Sequence, residues 1–419
     1  MSALAVFRAK SANAYLFSAS GIRLGCEIQR VAAQDRQNPA GASRQGKDRH
    51  KPAEVSRHGT TEAAVMTTGL HRRRRPHGAR QRGRHRLADH SGPAYAALDL
   101  GTNNCRLLVA TPSEDGGFRV VDAFSRIVRL GEGLGRTGRL SPEAMGRTID
   151  ALRVCAGKMQ RSAVLGARNV ATQACRQAVN CDEFLARAAD ATGLVIETIS
   201  CAEEVRLVLR GCLPLLETQP SHGLVFDIGG GSTEVVWIRL GEGQPEILDW
   251  ISMPHGVVTL SERYGEGNIG STDYDRLVAE IDAYLAPFCA KHGIADAVRR
   301  GAVQMLGTSG TVTTLCGLSL GLPRYDRSVV DGSYLAFASI DRLCHMLRGL
   351  DYAARAAQPC IGAERADLVL SGCAVLEAIC KRWPVGRLKV ADRGIREGIL
   401  CELMEDGGSA AAAVAHVPG

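Results

Sequence analysis

The sequence holds no Cys-x-x-Cys pair, although it carries 14 cysteines. They are scattered, and Cys105, Cys316 and Cys380 sit inside apolar stretches. That spacing argues against a zinc site or a disulfide scaffold and fits reduced, buried thiols in a cytoplasmic protein. Also missing is a run of about 18 apolar residues, the length that a membrane-crossing helix needs, so no membrane span is expected. The opening MSALAVFRAKSANAYLFSASGIRLG lacks the clean apolar core and cleavage site of a secretion signal. Residues 1–90 lack any sustained apolar periodicity.

Charge is unevenly placed. Residues 1–90 contain 18 Lys and Arg against 6 Asp and Glu, whereas the rest of the chain contains 33 against 38. The formal net charge of +7 therefore belongs to the N-terminal segment and says nothing about the body. Its run HRRRRPHGARQRGRHR reads as a disordered basic extension, residues 1–91, with nonspecific attraction to polyanions and no specific nucleic-acid partner. A translation start at Met66 is a further reading of this region.

What is present begins with LVFDIGGGSTEVVW, Leu224 to Trp237. Two strand-like runs flank Gly229, Gly230, Gly231, Ser232 and Thr233. A plain glycine turn would look similar, since glycine tolerates positive φ. Backbone amides, two hydroxyls and no side-chain bulk, however, are what a loop needs to approach phosphate oxygens. Asp227 and Glu234 at its ends are hard oxygen ligands suited to Mg²⁺ or Mn²⁺, and a turn requires neither.

LDLGTNNCRLLVA, from Leu98, repeats the outline with Asp99, Gly101, Thr102 and Asn103. The two copies predict two related halves, each opening with a phosphate-gripping hairpin. A third glycine turn, with Gly307, Thr308, Ser309, Gly310 and Thr311, follows an apolar run and leads into a helix whose N-terminus favours an anion. One such loop is a weak signal, and three in this order are a strong one. Elements read in the order β-β-β-α-β-α give a mixed α/β fold. In this reading Ser141 and Pro142 start a helix with Met145, Ile149, Leu152, Ala156 and Met159 on one face. Ser200 and Glu203 form a capping box, which leaves the neighbouring Glu204 free for other work.

These loops, the Glu203–Glu204 pair, TQACRQAVN and the closing ADRGIREGIL together resemble the exopolyphosphatase and guanosine pentaphosphate phosphohydrolase (Ppx/GppA) family over about Tyr95 to Met404. The resemblance implies an α/β fold of two ribonuclease-H-like domains with a cleft between them, as in actin, sugar kinases and heat-shock chaperones. The halves would span 92–218 and 219–405, with a flexible tail at 406–419. It also implies Glu204 as the base, Asp227 and Glu234 as metal ligands, and Arg176 as a phosphate-binding arginine. The expected reaction is hydrolysis of the terminal phosphoanhydride of polyphosphate, with guanosine pentaphosphate (pppGpp) as the alternative substrate. A kinase of the same superfamily and a non-catalytic phosphate sensor are the rival readings, and a homodimer is the assembly that the resemblance allows. Cys201 stands where some relatives have glycine. The sequence ends without the additional C-terminal domains of longer members, and the basic extension has no counterpart in the family pattern.

Overall fold

The computed structural model describes residues 92–114, 116–265 and 269–414, with side chains to residue 407. The basic extension expected at 1–91, including Met66, lies outside the described residues, as do residues 415–419. Everything described belongs to one unit of the chain, Arg84–Gly419.

Two mixed sheets share one plan. In the first, β1 (Ala94–Leu100) and β2 (Asn104–Pro112) form a hairpin that β3 (Phe118–Ile127) extends, while β4 (Val164–Ala171) and β5 (Glu197–Thr198) add in parallel on the other side. The order is β3-β2-β1-β4-β5. In the second, β6 (His222–Ile228) pairs with β7 (Thr233–Arg239), which β8 (Glu246–Met253) extends. Beyond β6 lie β9 (Val303–Thr308), β10 (Tyr334–Ala336) and β11 (Arg387–Ala391), in the sheet order β10-β11-β9-β6-β7-β8. Read from β8, the second sheet repeats the first and adds β10 as an edge. The two related halves expected from the paired hairpins are therefore present, in an actin-like arrangement.

The central strands are apolar on both faces because both are covered. Leu98 and Leu100 of β1 pack with Leu152 and Phe184 under the helices Pro142–Arg161 and Cys181–Thr192. Leu224 and Phe226 of β6 pack with Ile281 and Leu376 from the helices Ser271–Lys291 and Val369–Arg382. The opposite faces, with Tyr95 and Ala97 on one side and Val225 and Val236 on the other, meet a shared layer. That layer comprises the helices Cys201–Cys212 and Ile395–Val414. These two helices cross where neither has a side chain. A Cβ on Gly211 would strike the Gly394 carbonyl oxygen, and one on Gly398 would strike that of Leu207.

Several local expectations hold. Ser141 Oγ accepts the Ala144 amide at 3.1 Å at the start of Pro142–Arg161, and Met145, Ile149, Leu152, Ala156 and Met159 are buried. A short helix, Gln173–Gln177, follows β4. The strand after the helix Cys181–Thr192 is only Glu197–Thr198, which meets β4 at Val170 and Ala171. Other expectations are revised. The terminal helix, grouped by sequence with the second half, packs on β1 of the first. It continues to Val414, into the expected flexible tail, whose alanines favour helix. Among the described residues no helix is long and apolar enough to cross a membrane.

Candidate active site

The segments that follow the carboxyl ends of β1, β4, β6, β9 and β11 line one cavity of about 450 Å³. This is where ligands bind in α/β sheets, since loops there are free of the strand ladder. The three glycine-bearing loops come together in it: Gly101, Thr102 and Asn103; Gly229 to Ser232; and Thr308 to Thr311. Asp99, Asp227 and Glu204 open onto the same space.

The two hairpin loops close alike. Gly101 N–H donates to the Asn104 carbonyl and Gly229 N–H to that of Ser232, each at 2.9 Å. None of Gly229, Gly230 and Gly231 has positive φ. Left-handed backbone is therefore not why they are glycine; close approach is. A Cβ on Gly230 would stand 3.0 Å from the Asn103 amide nitrogen, and one on Gly231 would stand 2.7 Å from Thr102 Oγ1. A Cβ on Gly256 would strike the backbone of Gly230 and Gly231 from behind. Thr102 Oγ1 and Asn103 Oδ1 are buried here without a protein hydrogen-bond partner. Orphaned polar atoms in a cavity wall are what a polar ligand would satisfy.

The third loop begins the helix Gly310–Ser319. Ser309 Oγ accepts the Val312 amide at 3.0 Å, and Thr308 Oγ1 donates to the Arg393 carbonyl at 2.7 Å. Thr308 thus spends its hydroxyl proton on the fold, whereas Ser309 keeps its own, which joins the amides of the first turn in attracting an anion.

Two expected site residues face elsewhere. Thr233 is fully buried, its hydroxyl donating to the His255 carbonyl at 2.7 Å. Gly307 lies within β9, where a Cβ would run into the Phe226 ring. Each is explained by packing.

Glu204 sits in the first turn of Cys201–Cys212 and is only 7% exposed. Arg176 donates to its Oε2 at 2.7 Å, and the same nitrogen reaches the Ile199 carbonyl at 3.0 Å. Burial, with Glu234 and Asp227 nearby, pushes the Glu204 carboxyl up to about 8 against the pull of Arg176. Burial and Glu234 likewise raise Asp227 to about 8, and burial raises Asp99 and Glu234. Glu234 is 3% exposed and accepts the Ser252 hydroxyl at 2.7 Å. It stands opposite Asp227 in the β6–β7 register, at the edge of the cavity lining rather than in it.

The capping box is half made. Ser200 Oγ accepts the Glu203 amide at 3.1 Å, but the Glu203 carboxylate is taken by Arg206 at 2.8 Å and Arg168 at 2.8 Å. Arg206 and Arg168 hold it down to about 2 in spite of partial burial.

Sequence reasoning singled out Arg176, which is turned to Glu204 and the Ile199 carbonyl and is not among the residues lining the cavity, whereas Arg106, Arg327, Arg365, Arg393 and Arg396 are. Arg393 is held by Asp331 at 2.7 Å and Arg327 by Glu397 at 2.8 Å. The ADRGIREGIL motif contains Arg393 and Arg396, so a signal for these two existed. Nothing local marks Arg327 or Arg365, because only the fold brings their segments to the cavity.

Residues 109–406 match the model of the Ppx/GppA phosphatase family. The chain belongs to the Ppx/GppA phosphatase family. Exopolyphosphatase 2 of Mycobacterium tuberculosis is 32% identical over 324 residues, covering 74% of this chain and 98% of that one. The guanosine-5'-triphosphate,3'-diphosphate pyrophosphatase of Aeromonas salmonicida is also 32% identical over 75% of this chain, which spans 60% of that relative's length. The crystal structure of the Aquifex aeolicus Ppx/GppA family member is similar with a TM-score of 0.62 and 26% identity, covering 75% of this chain and 98% of that one. With these relatives, the Ppx/GppA chain described here is a phosphoanhydride hydrolase.

Proposed function

We propose that the chain is an exopolyphosphatase, which releases orthophosphate from the end of inorganic polyphosphate. The observation that carries this is the convergence of the two hairpin loops, the helix N-terminus after β9 and the buried Glu204 on one arginine-lined cavity. Hydrolysis of a terminal phosphoanhydride needs positioning, neutralisation of several oxygens and an activated water. The amides of Thr102 and Asn103, Gly230 to Ser232, and Gly310 to Thr311 would hold the phosphates. Thr102 Oγ1 would gain the partner that it lacks in the protein. Glu204 would accept the proton of the attacking water, a contribution of about 10²–10⁴-fold. Burial and the neighbouring carboxylates raise its proton affinity, and a cation held between them and the substrate would offset that repulsion and favour the ionised form that accepts a proton.

The donor set fits a hard divalent cation. Asp227, with Glu234 opposite, forms a carboxylate pair in which burial raises the proton affinity of both and Glu234 adds to that of Asp227. Mg²⁺ or Mn²⁺ typically needs one or two protein carboxylates together with substrate phosphate and water. Asp227 and Glu234 would hold it. When bound, it supplies positive charge against the scissile phosphate.

A second reading, hydrolysis of guanosine pentaphosphate, draws on the Aeromonas relative and on Val257, Leu368 and Val369 in the cavity wall, an apolar surface that a nucleoside could use. Phosphate release from the two substrates side by side, with and without Mg²⁺, tests both. Transfer of phosphate to a second substrate instead of water would favour a kinase and sink both readings.

A further inference from the structure

Arginine has five N–H donors in a rigid fork, so what holds one edge decides where the other edge points. In the short helix Gln173–Gln177, Gln173 Oε1 accepts from Arg176 Nε at 3.1 Å and from Nη2 at 2.8 Å. Only an oxygen can take both bonds, because arginine offers no acceptor. With that edge fixed, Nη1 is left to the Ile199 carbonyl and Glu204 Oε2. On its other side, Gln173 meets the second phosphate loop. A Cβ on Gly231 would stand 2.9 Å from Gln173 Cγ. Gln173 thus sits among the loop, the arginine and the cavity, which it lines. Its amide is neutral, so it orients the guanidinium without competing with Glu204 or a phosphate for its charge.

We propose that Gln173 is a positioning residue, which acts through Arg176 to keep Glu204 aimed at the reacting water. This rests on Glu204 being the base. Gln173→Met keeps length and approximate volume and removes the acceptor. The expected result is a kcat at least about tenfold lower, since small misplacements of reacting groups are costly, with an unchanged melting temperature. In an Arg176→Lys background the same change should cost less than about twofold, because lysine has no edge to clamp and coupled residues are not additive. Gln173→Glu restores an acceptor, so its kcat should exceed that of the Met variant while its KM rises beside an anionic substrate.

A wild-type kcat in Gln173→Met overturns the inference, as does an equal loss in the two backgrounds. So does a Gln173→Glu kcat no better than that of Gln173→Met, the arm that decides if Arg176→Lys turns over too slowly to measure. Glu204→Gln is run alongside. Full activity there sinks the base itself, whereas an inactive Glu204→Gln beside a wild-type-like Gln173→Met sinks only the clamp.

Discussion

The two hairpins that open the two halves have the same turn and different charge. In the first, Asp99 stands across from Arg106; in the second, Asp227 stands across from Glu234. Directly opposed residues on one face of a hairpin interact most strongly in a sheet, and like charges there are destabilising. Arg106 opposes the rise of Asp99 that burial causes, while Glu234 adds to the rise of Asp227. The same scaffold therefore carries an oppositely charged pair in one copy and a like-charged pair in the other, which Arg106 and Arg176 only partly offset. Only the second pair also raises Glu204. On the proposed reading, the turn that the two hairpins share serves phosphate holding, and the cross-strand neighbour assigns cation holding to the second.

The largest effect expected is at Glu204, the acid whose proton affinity the second pair raises. Glu204→Gln should lower phosphate release by about 10²–10⁴-fold while substrate affinity, read by calorimetry, stays within a few-fold. Retained turnover would remove the base from beside the like-charged pair and with it the functional meaning of the comparison.

Next come the opposed aspartates. Asp227→Asn should raise the Mg²⁺ concentration for half-maximal rate by roughly tenfold or more, because a charged hard ligand is lost. Asp99→Asn should leave that midpoint nearly unchanged whatever it does to KM. Parallel magnesium titrations with the same shift in both variants would erase the contrast.

Smaller, and sensitive to sign, is the stability effect. Glu204 and Asp227 have carboxyls raised in the folded state to about 8. The folded protein therefore binds these protons more tightly than the unfolded chain does. The resulting stability is complete below the ordinary carboxyl range and is lost as pH climbs through about 8. The metal-free protein should accordingly melt lower at pH 8 than at pH 5. Added Mg²⁺ should raise the melting temperature more at pH 8, and calorimetric scans at both values check this. An equal shift at both pH values would mean that the ion does not relieve the carboxylate crowding.

The smallest effect is at Glu203. Glu203→Gln should change the rate less than about threefold and cost up to about 1 kcal/mol, the usual scale for a partly exposed ion pair. A denaturant melt with a rate assay measures both, and a loss rivalling that of Glu204→Gln would show that the two neighbours share one task.

Much of the site was legible because its chemistry lies in short contiguous runs. The three loops and both aspartates stand at strand ends, where glycine and acid interrupt an apolar run, and Glu204 stands in the first turn of a helix that follows a strand. The reason for the glycines was not legible. Gly230 is required by the first hairpin loop, whose Asn103 lies more than a hundred residues earlier in sequence. The same limit hid Arg327 and Arg365, and it hid the partners that take the Glu203 carboxylate away from its capping box. The fold was read correctly as two repeated halves. The packing of the terminal helix was missed because its apolar residues, Ile395, Ile399 and Leu400, do not say which sheet they cover.

That helix has a consequence for synthesis. β1 is made early, yet one of its faces is covered by residues 395–404, some 300 residues later. At about 5–20 residues per second, Tyr95 and Ala97 would wait on the order of 15–60 seconds for their cover. During that interval the first half would present an open apolar face on the ribosome, a natural target for chaperones. A nascent chain arrested before residue 395 should therefore be cut more readily by protease within β1 and β2 than one arrested well after residue 414, and equal resistance would show that the first sheet is sealed without its last helix.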